Sequence, residues 1–302
     1  MSIRRYCGKQ YLPNPNFIWR RTVSRSVKSL NMMILNELAS QGLPFITTPH
    51  STLNEKFNAG LITPPSNQEY PLIKYLAIGR GGATSSTVGG SIDIEYLLHR
   101  TDDACLFDHL PFIVRTVNND LNSTERAKYR LRKLITVGGI DYFAYYLKVI
   151  PNLPTTIETN VLTMVDGILS SSVAYDSKPS RLNPTPVDLT EVGLSLAEGK
   201  HLSVSFDINI TLDASDVLNI INANEIIHNT SSLTIVSELA PVAGFDYTTT
   251  SNDGGHTVNY TEVRCAQVMA FLSTFRILED QTNLPLKFKI SEENPYPPTT
   301  GD

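Results

Sequence analysis

This chain is poor in cysteine, in charge and in long apolar runs, and each shortage excludes a class of protein. Its three cysteines, Cys7, Cys105 and Cys265, lie far apart and are odd in number, so no disulfide framework and no CxxC metal or redox pair is present. That usage suits a reducing compartment. No stretch reaches the ~18 consecutive apolar residues of a membrane span. The charged N-terminus is not followed by the apolar segment of a secretory signal. The sequons at Asn122, Asn209, Asn229 and Asn259 therefore carry little weight as glycosylation sites. Charged residues make up 18% of the 302 residues, below the ~25% of an average globular protein. The net charge of −5 argues against a general nucleic-acid binder. Acids are absent before Glu37, while Arg4, Arg5, Lys9, Arg20, Arg21, Arg25 and Lys28 crowd the first 28 residues. Docking on an acidic neighbour is the favoured reading of this end, because no aromatic-spaced platform for single strands accompanies it.

Catalytic signatures are missing as well. The glycine-rich turn Gly79, Arg80, Gly81, Gly82 follows an apolar run, as in many nucleotide-binding proteins, but no lysine occurs between Gly79 and Lys128 to reach a phosphate. Thr84 stands where a dinucleotide fingerprint needs its third glycine, and Ser85, Ser86, Thr87, Gly89 and Gly90 are poor helix formers. The turn is read as backbone freedom that lets a strand end sharply or another chain approach closely, with Arg80 expected to meet a neighbouring protein. His99, Asp102, Asp103, Asp108 and His109 are metal-ligand types without HExxH or HxH spacing. A Gly-x-Ser-x-Gly elbow is absent, and no thiol is read as having a histidine partner. No cofactor, no metal and no catalytic residue is expected.

What the chain does have is a 41% hydrophobic fraction, enough for a sizeable core, and a surface rich in Ser, Thr and Asn that favours β structure and broad interfaces. Val23, Val27, Leu30, Ile34 and Leu38 predict a helix over 22–40, capped by Ser24 and stopped by Gly42. Five prolines (Pro44, Pro49, Pro64, Pro65, Pro71) make 43–71 an extended arm. Residues 72–79 predict a buried strand, 110–117 and 140–150 further strands, and Gly138 with Gly139 a break. Residues 92–98, 124–136 and 260–278 leave helix and strand open. The clearest element is 202–212, where Leu202, Val204, Phe206, Ile208, Ile210 and Leu212 alternate with polar residues and predict one inward face. Asp213 or Ser215 then caps a helix to about His228, with Val217, Leu218, Ile221 and Ile226 inward. Strands are expected at 233–240 and 284–290, and a polar hairpin tip at 246–258, turning at Asp253 and Gly254.

The fold expected is α+β and β-rich: a mixed domain over 1–152 with the N-terminal helix and Pro-rich arm, then a β-sandwich-like domain over 153–302 with an inserted helix, plus extended arms.

The strand and turn from Tyr75 to Gly82, the series Leu202 to Leu212 and Asp213 to Ile227, the run Ser237, Glu238, Leu239, Ala240, and the stretch Tyr260, Thr261, Glu262 through Phe275 resemble virion structural proteins of contractile-tailed bacteriophages, most like baseplate wedge components. The resemblance implies a non-enzymatic, multi-copy part that resides in the virion after synthesis in the host cytoplasm. Its partners would be other virion proteins and copies of itself, with no nucleic acid, membrane span or small-molecule ligand. The interface residues under this reading are Arg20, Arg21, Arg25, Pro64, Pro65 and Arg80. A neck, collar or connector role stays open. So does a β-sandwich that binds or degrades polysaccharide, for which Tyr142, Tyr145 and Tyr146 are the candidate aromatics.

Overall fold

A computed structural model describes residues 3–4, 26–66, 69–88, 91–166, 168–184, 199–229, 233–253, 256–279 and 282–296. The protein is β-rich, with several sheets and few helices. It divides into two compact units. One comprises Met1–Cys7, Asn152–Asn209 and Lys287–Asp302; the other comprises Gly8–Pro151 and Ile210–Leu286.

The larger unit is built on a nine-stranded sheet. Its centre is Leu72–Gly79, held between Ile235–Asp253 and Ile140–Val149. Tyr75, Leu76, Ala77 and Ile78 are all buried, as an unbroken apolar run in a central strand requires. The pairing is distant in sequence: Leu239 lies opposite Ile78 and Val242 opposite Tyr75. Pro241, which has no N–H to give a ladder, sits where Ile235–Asp253 changes partner from Ala270–Ile277 to His256–Val268. The stretch 260–278 is thus two strands, broken at Met269, whose N–H bonds the Pro241 carbonyl at 2.9 Å. Residues 91–96 and 129–137 are also strands, the latter preceded by the one-turn helix Ser123–Arg126.

The helices follow their caps. Asp213 accepts the Asp216 N–H at 2.9 Å and Asp216 returns the bond, so Ala214–His228 begins where a capping box places it. Its inward residues are Asp216, Val217, Ile220, Ala223 and Asn224, while Leu218 is exposed. The inward stripe is therefore turned from the expected one, because Asp216 is drawn in by Lys148 at 2.7 Å and by the Tyr129 hydroxyl at 2.9 Å. The first helix is Leu30–Gln41 and ends at Gly42 in the left-handed conformation. It starts later than the apolar stripe suggests. Residues 26–28 pair as a strand with Ala270, Phe271 and Leu272, and Ser29 both caps Met32 and donates to the Val268 carbonyl at 2.6 Å. A buried polar tie to the sheet outweighs one more turn of helix.

The smaller unit carries a five-stranded sheet in the order Ile3–Arg4, Leu284–Pro295, Gly199–Leu212, Glu158–Val165, Ile168–Ala174. The alternation over 202–212 holds as a strand but not as one inward face. His201, Ser203 and Ser205 are buried while Val204 is 39% exposed; from Ile208 onward the apolar residues are the buried ones. The buried parity shifts between Ser205 and Ile208, an offset that period-two sequence reading cannot detect.

His109 supplies a pH test of the larger unit's core. Its Nε2 accepts the Leu106 N–H at 3.1 Å, and its ring meets Phe57 edge-on. Burial, and then the Lys56 and His99 charges, depress its pKa to about 3. The unfolded chain takes up this proton near pH 6.5 and the folded chain refuses it until about pH 3. Stability from this group is therefore complete above pH 6.5 and lost on acidification, at up to about 1.4 kcal/mol per pH unit. Denaturant titrations between pH 7 and pH 4 should show a shallower slope for His109→Gln; equal slopes would refute the assignment.

Candidate functional site

The glycine turn is a crowded internal junction. Glu238, 1% exposed, lies under it. One carboxylate oxygen accepts the N–H groups of Gly81 at 2.9 Å and Asp108 at 3.2 Å. The other accepts the Phe107 N–H at 2.8 Å and faces His99 Nε2 at 2.8 Å. His99 Nδ1 faces Asp103 at 2.9 Å, and the His99 ring is stacked between Phe107 and Phe271. The Gly82 N–H goes to the Ser237 hydroxyl at 2.9 Å. A Cβ on Gly79 would stand 2.6 Å from the Asp108 carbonyl oxygen, and one on Gly82 would run into that of Ser237. The donors that would cradle a phosphate are thus already used by the chain itself, and close approach is what the glycines provide. Arg80 pairs with Asp108 at 2.5 Å and remains about a third exposed, at 36% of its side chain.

The Pro-rich segment, by contrast, borders an open groove of about 590 Å³. Pro65, Glu69, Tyr70, Leu72 and Lys74 form one side, and Gly244, Phe245, Asp246, Tyr247 and Arg264 the other. The first side is tied down by the Tyr70 hydroxyl, whose single proton lies between the carbonyls of Leu43 at 2.8 Å and Leu38 at 3.1 Å. The second side is shaped by a bulge: one extra residue falls between Arg264 and Gln267 opposite Ala243 and Phe245. Cys265 takes a positive φ of 52° there. The polar groups freed by the bulge are satisfied, the Ala266 N–H and Val263 carbonyl by Asn54 and the Cys265 N–H by the Leu61 carbonyl. Gly244 is required opposite, since a Cβ would lie 2.6 Å from Val263 Cγ2.

Most of the charge around this groove is arranged in pairs. Asp246 takes the Lys74 ammonium at 3.0 Å, the Tyr75 hydroxyl at 2.8 Å and Arg130 Nε at 3.3 Å. Burial opposes its charge, but those hydrogen bonds and the Arg130 charge outweigh burial and hold its pKa below the ordinary value. Arg132 meets Asp120 at 2.7 Å, and Arg126 meets Glu262 at 3.7 Å while lying over the Tyr260 ring. The basic run 126–133 is thus largely an internal scaffold. Arg264 differs in facing no carboxylate among the described residues: its guanidinium lies 4.6 Å over the Tyr247 ring, and its buried Nε, like that of Arg126, has no hydrogen-bond acceptor.

Of the expected interface residues, Pro65 lines the groove and Pro64 adjoins it, Arg80 lies at the glycine junction, and Arg20, Arg21 and Arg25 fall outside the described residues. Arg264 was not singled out from sequence, although it is the lone charge in the apolar stretch 263–275. The candidate metal ligands separate: His99 and Asp103 join Glu238, Asp108 joins Arg80, and His109 is in the core. Among the described residues no group of three or more His, Cys, Asp or Glu could hold a metal ion. Of the candidate sugar-stacking aromatics, Tyr145 and Tyr146 are buried, the Tyr145 hydroxyl donating to Asp120, and Tyr142 is half-buried against the core. A second groove, of about 410 Å³ in the smaller unit, holds the acids Glu158 and Asp207, both bridged by Lys289. No helix among the described residues is long and apolar enough to cross a membrane.

A family model matches residues 20–300, and its description is a family of unknown function, DUF7208. No curated protein and no solved structure matches the chain.

Proposed function

We propose that this chain, which belongs to the family of unknown function DUF7208, is a non-enzymatic structural subunit that acts through protein–protein interfaces in a multi-copy assembly. The sequence resemblance suggests that the assembly is a contractile phage tail or baseplate, so that copies of the chain and other virion proteins are its partners. A two-part α+β architecture, with a sandwich-like C-terminal part, belongs to the same reading.

The observation that carries it is the strand Ile168–Ala174. This is the outermost strand of the five-stranded sheet, and among the described residues it pairs only with Glu158–Val165. It holds no charge and no proline. Ile168 is 58% and Val173 63% exposed, and Ile157, Val165 and Leu182 add aliphatic surface nearby in sequence. Soluble monomers guard such edges with lysine, proline or a bulge, because unpaired N–H and C=O groups invite another strand; here a one-residue register shift at Ser170, opposite Thr163 and Met164, is present, but charge and proline are not. An apolar edge without charge or proline suits a subunit whose edge is covered in its assembly.

Ser171→Lys places a charge on that exposed edge. A phage lacking the gene would be complemented with wild-type or variant chain, and the chain measured in purified particles. The variant is expected to melt within a few degrees of wild type but to be recovered in particles at least about tenfold less, which corresponds to 1.4 kcal/mol of lost contact. Equal incorporation, or absence of the wild-type chain from particles, would overturn the reading.

A further inference from the structure

We propose that the groove beside the Pro-rich segment binds an extended peptide of another protein, with Arg264 taking a carboxylate from it. Three observations converge there. The first is the unmet demand of Arg264. Arg126, Arg130 and Arg132 each face a carboxylate of their own chain, whereas Arg264 has only the Tyr247 ring beneath it and no carboxylate among the described residues, and its buried Nε, like that of Arg126, has no acceptor. A guanidinium stacked on an aromatic face keeps its in-plane N–H groups free at its edge, the geometry that receives a carboxylate through two parallel hydrogen bonds.

The second is the bulge that places it. Non-glycine residues with positive φ are uncommon, and Cys265 holds one at 52° directly after Arg264. The protein spends Asn54, buried to 1% exposure, on satisfying the Val263 carbonyl and the Ala266 N–H on either side of it. Bulges re-aim side chains, and this one puts Arg264 on the groove.

The third is the mixture of charge. Glu69, exposed on the opposite side, also has no oppositely charged partner among the described residues, and Asp246 is already held by Lys74 and Arg130. A polyanion such as nucleic acid or an acidic glycan would satisfy Arg264 but meet Glu69 and Asp246 as like charges. A peptide carrying an acidic and a basic side chain satisfies both ends, and Pro65 and Tyr70 offer it apolar contact between them. The groove lies wholly in the larger unit and is independent of the sheet edge. Binding is read on the isolated full chain, so it stands or fails separately from incorporation into a particle.

The test uses the capped hexapeptide Gly-Glu-Pro-Gly-Lys-Gly, its Gln-for-Glu counterpart, and a glucuronic acid oligosaccharide. Binding is followed by the NMR signal of the Arg264 Nε–H and by the backbone signals of Gly244 and Tyr247. The Glu peptide is expected to give saturable shifts with a Kd on the order of 1 mM. Affinity should fall about tenfold for the Gln peptide and for Arg264→Gln, with partial recovery in Arg264→Lys, which keeps the charge but loses the fork. Because the Gln peptide is tested on unaltered protein, a folding defect in a variant cannot mimic the result. No saturable shift up to the solubility limit, equal affinity for both peptides, or tighter binding of the oligosaccharide would each overturn the proposal.

Discussion

Replacing Glu238 with alanine is expected to lower stability by about 3–5 kcal/mol, the cost of breaking a buried charge network by removing one member. Three backbone donors, the N–H groups of Gly81, Phe107 and Asp108, converge on this one carboxylate, and His99 Nε2 faces it. Truncation would leave three backbone N–H groups without their acceptor in a place where Glu238 itself is buried, and each such orphan costs about 1–3 kcal/mol. Relaxation and water entry recover part of that sum. The loss should spread beyond the point of change, because the carboxylate joins the glycine turn, the 107–108 loop and His99 to one central strand. Glu238→Gln should fall between, since the amide keeps one acceptor oxygen but turns two hydrogens toward a site that supplies only donors. Urea denaturation measures both. A loss under 1 kcal/mol in the alanine variant would mean that the turn is held by packing alone.

The second large effect is expected at Lys148. Its ammonium lies 2.7 Å from Asp216 and 5.0 Å over the Tyr129 ring, with both members of the pair nearly buried. Lys148→Met conserves most of the volume and strands the Asp216 carboxylate, at a cost of about 3–5 kcal/mol. Asp216 retains the Tyr129 hydroxyl and its backbone bond to Asp213, so adding Asp216→Asn removes the stranded charge while leaving an oxygen for Tyr129. The double variant should therefore recover about half of the loss, a coupling that a double-mutant cycle reads directly. Simple additivity of the two changes would show that the pair is not the tie between the helix Ala214–His228 and the sheet.

The residues that shape this protein differ in how openly the sequence displays them. Asp213, three residues before Asp216 and followed by an apolar periodic run, marks a helix start through chemistry confined to four neighbours. Gly42 is legible for the same reason, as the one residue type that adopts the left-handed stop without strain. The start of the first helix is not, because Ser29 is chosen over Ser24 by a bond to Val268, 239 residues away. The glycine turn was readable as a place of close approach, but the group that approaches is Glu238, 157 residues from Gly81. Among candidate interface residues, Pro65 could be suspected from the density of prolines around it. Arg264 could have been suspected only as a lone charge in an apolar stretch, and its unpaired state is visible only once the acids beside Arg126, Arg130 and Arg132 are in place.

The sequence by itself determined the β-rich character, the extent of the strand Leu72–Gly79, the capped helix after Asp213 and the turn at Gly138 and Gly139, because period, propensity and capping act within a few residues. Only the tertiary structure decided which face of 199–212 is buried, which distant strands flank Leu72–Gly79, and which charges find partners. Those outcomes depend on contacts between segments far apart in the chain, which set the buried face of a strand and leave Arg264 without a carboxylate beside the groove.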